Sequence, residues 1–181
     1  MKRTRQPPAT KRHRSRQNHP TPWGFICAIE NRFDMIEIDL AATKTVRKAG
    51  RFITPKQNSL RQDWTTMLDG KMGYLNPPFD PVTPWIEKCV EEAVKGARFV
   101  ALLRASIDAH WFWKMAHHCT VYAISPRIKF IGSKQGYPSS LIVASFNCVA
   151  VPGPTVTNGR FKGLYRWQWI ADSISREGYE Q

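Results

Sequence analysis

The residues best suited to a catalytic role are the consecutive Asn76, Pro77, Pro78 and Phe79. The side-chain oxygen of Asn76 and the carbonyl oxygen of Pro77 can both accept hydrogen bonds from an exocyclic NH2 group. Two consecutive prolines fix φ and supply no N–H, so they hold that carbonyl outward. The Phe79 ring can stack on a flat base and face a developing positive charge. The tetrapeptide therefore indicates methyl transfer to a planar amino nitrogen, although Asn-Pro is also an ordinary turn former.

The electronics of a planar amine explain why acceptors would be needed. Its lone pair is delocalised into the ring, which makes the nitrogen a poor nucleophile. Acceptors that meet its N–H bonds out of the base plane favour a pyramidal nitrogen and stabilise the positive charge of the transition state. Displacement at an activated methyl group then depends on positioning, and we expect no Cys or Ser nucleophile.

The flanking sequence predicts an α/β domain. The tetrapeptide follows the apolar run 72–75, which predicts a strand with the site just beyond its carboxyl end. Further strands are predicted at residues 35–40, 99–103, 120–124, 128–131 and 141–151. In the first of these, Ile36, Ile38 and Leu40 are expected on one face. Helices are predicted from Thr83-Pro84 to Gly96, over residues 108–118, and at the C-terminus. No helix or strand is predicted over residues 44–54. The fold class is a mainly parallel, doubly wound sheet.

Composition supports one domain and excludes several classes of protein. The chain has 181 residues, of which 42% are hydrophobic and 12% aromatic, as expected for a packed core. It contains no apolar run of membrane-spanning length and no hydrophobic secretion signal, so we expect a cytoplasmic protein. The four cysteines form no CxxC pair, and His117, His118 and Cys119 would point in different directions on a helix. We therefore expect reduced thiols and no metal.

Charge is concentrated at the N-terminus. The chain has 27 Lys and Arg against 14 Asp and Glu, a net charge of +13. Residues 1–19 are predicted to be a disordered basic arm, and residues 20–181 a single domain. Such an arm is suited to a phosphate backbone, although a solubilising or targeting tail is the alternative. Its cationic residues before the first acid are Lys2, Arg3, Arg5, Lys11, Arg12, Arg14 and Arg16.

Several blocks, taken in order, resemble the small phage-type DNA N6-adenine methyltransferases, the Dam-like family. They are Thr21-Pro22-Trp23, residues 37–43, residues 51–54, Ser59-Leu60, Asp63-Trp64, residues 75–79, residues 102–112, residues 127–130 and residues 138–141. The resemblance covers roughly residues 20–146. It implies a Rossmann-like fold, S-adenosylmethionine as methyl donor with S-adenosylhomocysteine as product, and double-stranded DNA in the cytoplasm of a bacterial host as substrate.

The resemblance also implies roles for individual residues. Asp39 stands where an acidic side chain meets the methionyl ammonium or the ribose of the cofactor, and Ala41 and Ala42 keep the next turn small. Thr21 and Pro22 match a segment that closes over the methionine moiety. Asp63 matches a position near the cofactor adenine, with a helix cap as the alternative. Unlike many proteins that bind this cofactor, the chain has no Gly-rich loop after Asp39.

A duplex adenine would have to flip out of the helix to reach Phe79. Tyr137, Pro138, Ser139 and Ser140 are predicted to form another wall of the base pocket. The chain leaves no room for a separate target-recognition domain, so we expect a relaxed or very short sequence preference. Two alternatives stay open: an RNA-base or protein-glutamine methyltransferase, and a non-catalytic nucleic-acid-binding protein. Oligomeric state is not indicated by the sequence.

Overall fold

One eight-stranded sheet organises the computed structural model, which describes residues 20–151, 156–158 and 164–173. The spatial order of the strands is β2-β1-β3-β4-β6-β5-β8-β7. Along the chain they are β1 (Ile36–Asp39), β2 (Arg51–Phe52), β3 (Met72–Leu75), β4 (Arg98–Arg104), β5 (Thr120–Ser125), β6 (Leu141–Phe146), β7 (Val156–Asn158) and β8 (Leu164–Gln168). The predicted basic arm, residues 1–19, lies outside the described residues.

Helices cover both faces of the sheet, as the doubly wound prediction requires. The described residues form α1 (Trp23–Arg32), α2 (Trp64–Leu68), α3 (Thr83–Val94), α4 (His110–Ala116) and α5 (Ile170–Ser173), with a 3-10 turn at Ser59–Arg61. One core contains side chains of α2, α3 and α4, and the other contains side chains of α1 together with Ile128, Phe130 and Trp167. Within the described residues, no helix is long and apolar enough to cross a membrane.

The sheet is parallel on the side that carries the site and mixed on the other. Strands β2, β1, β3 and β4 pair in parallel, and β5 pairs in parallel with β8. Strand β6 runs antiparallel between β4 and β5, and β7 runs antiparallel to β8. The mainly parallel prediction therefore holds among the described strands. The parallel half aligns the carboxyl ends of β1, β2 and β3 at one edge.

Two predicted elements are wrong. Residues 128–131 are not a strand; they form a loop in which Ile128 and Phe130 insert into the core. The predicted C-terminal helix is wrong over Leu164–Gln168, which is strand β8, and helical structure is confined to Ile170–Ser173 among the described residues there. The spacing of Leu164 and Trp167 suits a helix, but pairing with β5 determines the conformation because it supplies the backbone hydrogen bonds.

Strand β1 exists as predicted, but its side chains do not follow a single alternation. The pairing with β3 shifts register between Ile36 and Ile38. Ile36 consequently packs in the core beside α1, whereas Ile38 and Leu40 pack in the core beside α3. The prediction that these three side chains share one face is therefore wrong, and Asp39, which alternates with them, is itself buried at 3% exposure.

Helix boundaries differ slightly from the predictions. Helix α3 begins at Thr83, with Val82 rather than Thr83 as its N-cap, and Gly96 follows its end with φ of +97°. The sequence reasoning assigned no element to α1, whose Gly24 and β-branched residues are poor helix formers. Burial of its apolar face and the ion pair of Arg32 with Asp172 (2.6 Å) hold this helix against α5.

The buried carboxylate of Glu92 forms an ion pair within α3 and accepts hydrogen bonds from α2. Glu92 is fully buried, and its Oε1 atom lies 2.7 Å from Nζ of Lys88 and 3.0 Å from Nζ of Lys95. Its Oε2 atom accepts hydrogen bonds from the backbone N–H and the hydroxyl of Thr65, both at 2.8 Å. Burial alone would raise the pKa of Glu92, but these hydrogen bonds outweigh burial and lower the pKa to about 2.

We expect Glu92→Gln to lower the free energy of unfolding at pH 7 by about 3 kcal/mol, because it leaves the buried ammonium of Lys88 with only the more distant carboxylate of exposed Glu91, 3.3 Å away. The pKa of Glu92 is below that of an unfolded Glu, so its contribution is present above pH ~5 and is lost as the pH falls toward 2. Urea unfolding between pH 7 and pH 2 measures both effects. Glu87→Gln, on the exposed side of α3, is the control. Equal stability and equal pH dependence of the two variants would contradict the prediction.

Candidate active site

A cavity of about 520 Å³ opens at the carboxyl ends of the parallel strands. Its walls come from the segment before α1, from the ends of β1, β2 and β3, and from one side chain of α3. The lining residues are Pro20, Thr21, Asp39, Ala41, Ala42, Thr43, Val46, Lys48, Ile53, Thr54, Pro55, Asn58, Ser59, Tyr74, Asn76, Pro78 and Trp85. This is the edge at which open α/β sheets bind ligands.

The predicted tetrapeptide leaves β3 directly into this cavity. Asn76 is partly buried and lines the wall, Pro77 is buried, and Pro78 is exposed and lines the wall. Phe79 is partly buried, does not line the cavity, and packs against the core beside α1.

A hydrogen-bond chain fixes the amide of Asn76. Its Nδ2 donates to Oγ1 of Thr21 at 3.1 Å, and Oγ1 of Thr21 is 2.7 Å from the hydroxyl of Tyr74. Thr21 and Tyr74 are each 1% exposed, and burial raises the pKa of Tyr74 above its ordinary value, so its phenol stays protonated. Because Thr21 holds the NH2 edge of the amide, Oδ1 of Asn76 is on the opposite edge.

Asp39 organises the loop that follows β1. Its Oδ1 accepts a hydrogen bond from the N–H of Ala41 at 3.2 Å, and its Oδ2 accepts one from the N–H of Lys48 at 2.9 Å. Burial raises the pKa of Asp39 to about 6, although both hydrogen bonds and the charge of Lys48 oppose that rise. The Asp39 carboxylate therefore holds the loop after β1 in place, and this loop contains no Gly-rich turn.

Phe79 belongs to a cluster of aromatic side chains outside the cavity lining. The ring centroids of Phe79 and Tyr137 are 5.5 Å apart, and those of Tyr137 and Phe130 are 5.4 Å apart. The loop carrying Tyr137 is closed by a hydrogen bond from its N–H to the carbonyl of Ile128 and is held to the cavity wall by Ile131 N–H donating to the carbonyl of Pro20. The predicted proximity of Tyr137 to Phe79 is therefore present.

The remaining predicted residues occupy varied positions. Pro22 is the N-cap of α1 and does not line the cavity. Asp63 also lies outside the lining: it caps α2 by accepting hydrogen bonds from the N–H and the hydroxyl of Thr66, so its contact with a cofactor adenine stays a prediction. Pro138, Ser139 and Ser140 lead from Tyr137 into β6. The predicted cations of the arm, Lys2 to Arg16, fall outside the described residues.

Sequence reasoning assigned no site role to eleven of the seventeen residues that line the cavity, among them Tyr74, Trp85 and Lys48. Tyr74 is two positions before Asn76, so the period of a strand places both side chains on one face, and this signal was available. Trp85 could not be distinguished from the core residues of α3. Lys48 is one of several cations in a segment without periodicity, and no sequence signal separates it from its neighbours. Residues 20–151, 156–158 and 164–173 contain no cluster of three or more His, Cys, Asp or Glu arranged to hold a metal.

Comparisons with known proteins agree with the geometry. Residues 9–145 match the family model described as DNA N-6-adenine-methyltransferase (Dam). A protein of Haemophilus phage HP1 (strain HP1c1) named DNA N-6-adenine-methyltransferase is 29% identical over an alignment of 120 residues that covers 64% of this chain and 67% of that protein. A protein of the same name from Escherichia phage T1 is 24% identical over 132 residues, covering 64% of this chain and 54% of that protein. No solved structure matches the chain.

The hydrogen-bond chain around Thr21 predicts a specific loss of stability. Thr21→Val should lower the free energy of unfolding by about 1–3 kcal/mol, because it removes the partner of the buried Tyr74 hydroxyl. Thr21→Ser keeps the hydroxyl and is the control, expected to stay closer to the wild type. Adding Tyr74→Phe to Thr21→Val should recover part of the loss. Urea unfolding measures all four proteins, and equal stability of the Val and Ser variants would contradict the prediction.

Proposed function

Because the chain belongs to the DNA N-6-adenine-methyltransferase (Dam) family, we propose that it transfers a methyl group from S-adenosylmethionine to the N6 atom of adenine in double-stranded DNA. The observation that carries this proposal is the position of Asn76 at the mouth of the cavity, with its amide held by Thr21. We also propose that the three-layer architecture is Rossmann-like, since the cavity lies at the carboxyl ends of parallel strands, as in that fold.

The residues of the cavity fit S-adenosylmethionine. A volume of about 520 Å³ suits a nucleoside-sized ligand, and Val46, Ile53 and Pro55 offer apolar surface to the adenosine. Asp39 can accept hydrogen bonds from the methionyl ammonium or from the ribose, beside the small Ala41 and Ala42. When bound, the cofactor supplies a methyl group activated by its sulfonium.

The target adenine would bind on the opposite side of the tetrapeptide. An adenine within a duplex cannot reach such a pocket, so it would flip out and stack on Phe79, with Tyr137 and residues 138–140 nearby. Its exocyclic amine would then meet Oδ1 of Asn76 and the carbonyl oxygen of Pro77. The contact of Phe79 with Tyr137 supports this arrangement because it places two aromatic rings beside the proposed acceptors.

The chain's own residues contribute mainly positioning and electrostatics. The oxygen of Asn76 and the carbonyl of Pro77 would accept the two N6–H bonds and direct the nitrogen lone pair toward the methyl carbon. They would also stabilise the positive charge that grows on N6. Thr21 and Tyr74 act as positioning residues, since they hold the amide of Asn76 in one orientation before the base arrives.

The basic arm would bind the DNA backbone. Its seven cationic residues, together with exposed side chains in the loops after β1 and β5, can contact phosphates, which adds affinity without selecting a sequence. We propose that the target sequence is relaxed or very short and that loops such as those after β1 and β5 contact it. Structured RNA and protein glutamine amides have the same planar-amine chemistry and belong in the test as competing substrates.

Substitution of the central acceptor tests the proposed chemistry. We expect Asn76→Ala to reduce transfer of labelled methyl from S-adenosylmethionine to duplex DNA by roughly 100- to 1,000-fold, because one acceptor of the transition state is lost. Binding of DNA and S-adenosylhomocysteine should change much less. Nucleoside mass spectrometry should identify N6-methyladenine as the wild-type product. Unimpaired transfer by the variant, or faster transfer to RNA or protein than to DNA, would contradict the proposal.

Deletion of residues 2–18 tests the role of the arm. The deletion should weaken binding to duplex DNA and reduce the slope of log K against log salt concentration by up to about six, if all seven cations contact phosphate. Methyl transfer at saturating DNA should be retained. A full-length control with the seven cations replaced by Gln separates charge from length. If both proteins had the same slope as the wild type, the arm would not contact the DNA backbone.

A further inference from the structure

We propose that Lys48 and Asp39 together form a subsite for a zwitterionic α-amino acid group, with the Lys48 ammonium binding the carboxylate and Asp39 binding the ammonium of the ligand. This inference rests on the proposed cofactor, whose methionyl group is such a zwitterion. It assigns Asp39 to the methionyl ammonium rather than to the ribose of the cofactor. It also adds Lys48, to which no comparison assigns a role.

Lys48 is buried although its neighbours in the same loop are not. Its side chain is 7% exposed, whereas Lys44 and Arg47 are exposed. The hydrogen bond from the Lys48 N–H to Oδ2 of Asp39 fixes the backbone at this point and turns the side chain toward the cavity that it lines. The carbon stem of Lys48 is covered, but Nζ keeps contact with solvent, because no fully buried side-chain nitrogen or oxygen of the described residues lacks a hydrogen-bond partner.

The described residues compensate the charge only in part. Nζ of Lys48 lies 4.4 Å from the ring centroid of Trp23, which provides a cation–π contact. Within the described part of the chain, Nζ makes no ion pair with a carboxylate and has no hydrogen-bond acceptor. Burial lowers the pKa of Lys48, and the nearby charge of Asp39 opposes that effect. An anionic group of a ligand in the cavity would supply the missing acceptor.

The charge of Asp39 determines which kind of anion can bind beside Lys48. Asp39 is buried beside Lys48 and lines the same cavity, so a phosphate would meet an unfavourable carboxylate within the subsite. An α-amino acid group presents one charge of each sign and can satisfy both side chains. Each oxygen of Asp39 accepts one backbone hydrogen bond, and a carboxylate oxygen has capacity for a second.

A purely structural role for Lys48 is the competing explanation. In that case its ammonium would serve only as a counter-charge to Asp39 and as a cation for Trp23. Removing it would then disturb the cavity for every ligand alike. A ligand series that differs only in the carboxylate distinguishes the two explanations.

The test compares S-adenosylhomocysteine with its decarboxylated analogue, S-adenosyl-3-thiopropylamine, by titration calorimetry on the full chain. We expect Lys48→Met to weaken binding of S-adenosylhomocysteine by roughly 10- to 100-fold, the loss of one charge-assisted hydrogen bond. Binding of the amine analogue should be unchanged or tighter, because the repulsion of its ammonium by Lys48 is removed. Lys44→Met, an exposed lysine of the same loop, should match the wild type for both ligands.

Two further variants keep the outcome interpretable. Lys48→Gln preserves most of the side-chain volume if the Met variant does not fold, and Lys48→Arg should restore selectivity for the carboxylate. Equal weakening of both ligands by the Met and Gln variants would overturn the subsite while leaving the proposed cofactor intact. Failure of the wild type to bind either ligand would overturn both the subsite and the proposed cofactor.

Discussion

The hydrogen bond from Asn76 to Thr21 is the interaction on which the proposed active site depends. An amide can rotate to present either its oxygen or its NH2 group, and only the oxygen can accept from an amino nitrogen. Thr21 holds the NH2 edge, and buried Tyr74 in turn holds Thr21. Because both partners are excluded from water, water competes little for these hydrogen bonds, and the amide is oriented before a substrate is present.

The fold creates two compartments around this amide. Parallel strands β1, β2 and β3 end at one edge and build the charged and apolar walls of the cavity. Outside the cavity lining, Phe79 and Tyr137 form an aromatic cluster supported by the loop after β5. A donor in the cavity and a flat acceptor on the rings would meet at the tetrapeptide. The buried ion pair of Glu92 and Lys88 stabilises α3 and α2 behind this wall.

Much of this arrangement could be predicted from local sequence, and the exceptions have physical causes. The apolar run 72–75 and the two prolines after it specify a strand and a rigid turn, so the position of Asn76 could be predicted. The position of Asp39 could be predicted for the same reason, as the acid at the end of β1. The burial of Asp39 could not be predicted, because the register shift between β1 and β3 depends on pairing between distant segments. Strand β8 was missed because its partner β5 lies about 40 residues away and overrides a helical spacing. Lys48 could not be recognised, since only the folded loop distinguishes a buried cation from its exposed neighbours.

The decisive experiment is a structure of the chain bound to S-adenosylhomocysteine and a DNA duplex. We expect one adenine outside the helix, with N6 within about 3.2 Å of both Oδ1 of Asn76 and the carbonyl oxygen of Pro77 and facing the cofactor sulfur. We also expect the hydrogen bond between Asn76 and Thr21 to be retained in the complex. An extruded base whose N6 lies away from Asn76, or an Asn76 that presents its NH2 group to the base, would contradict the proposed mechanism.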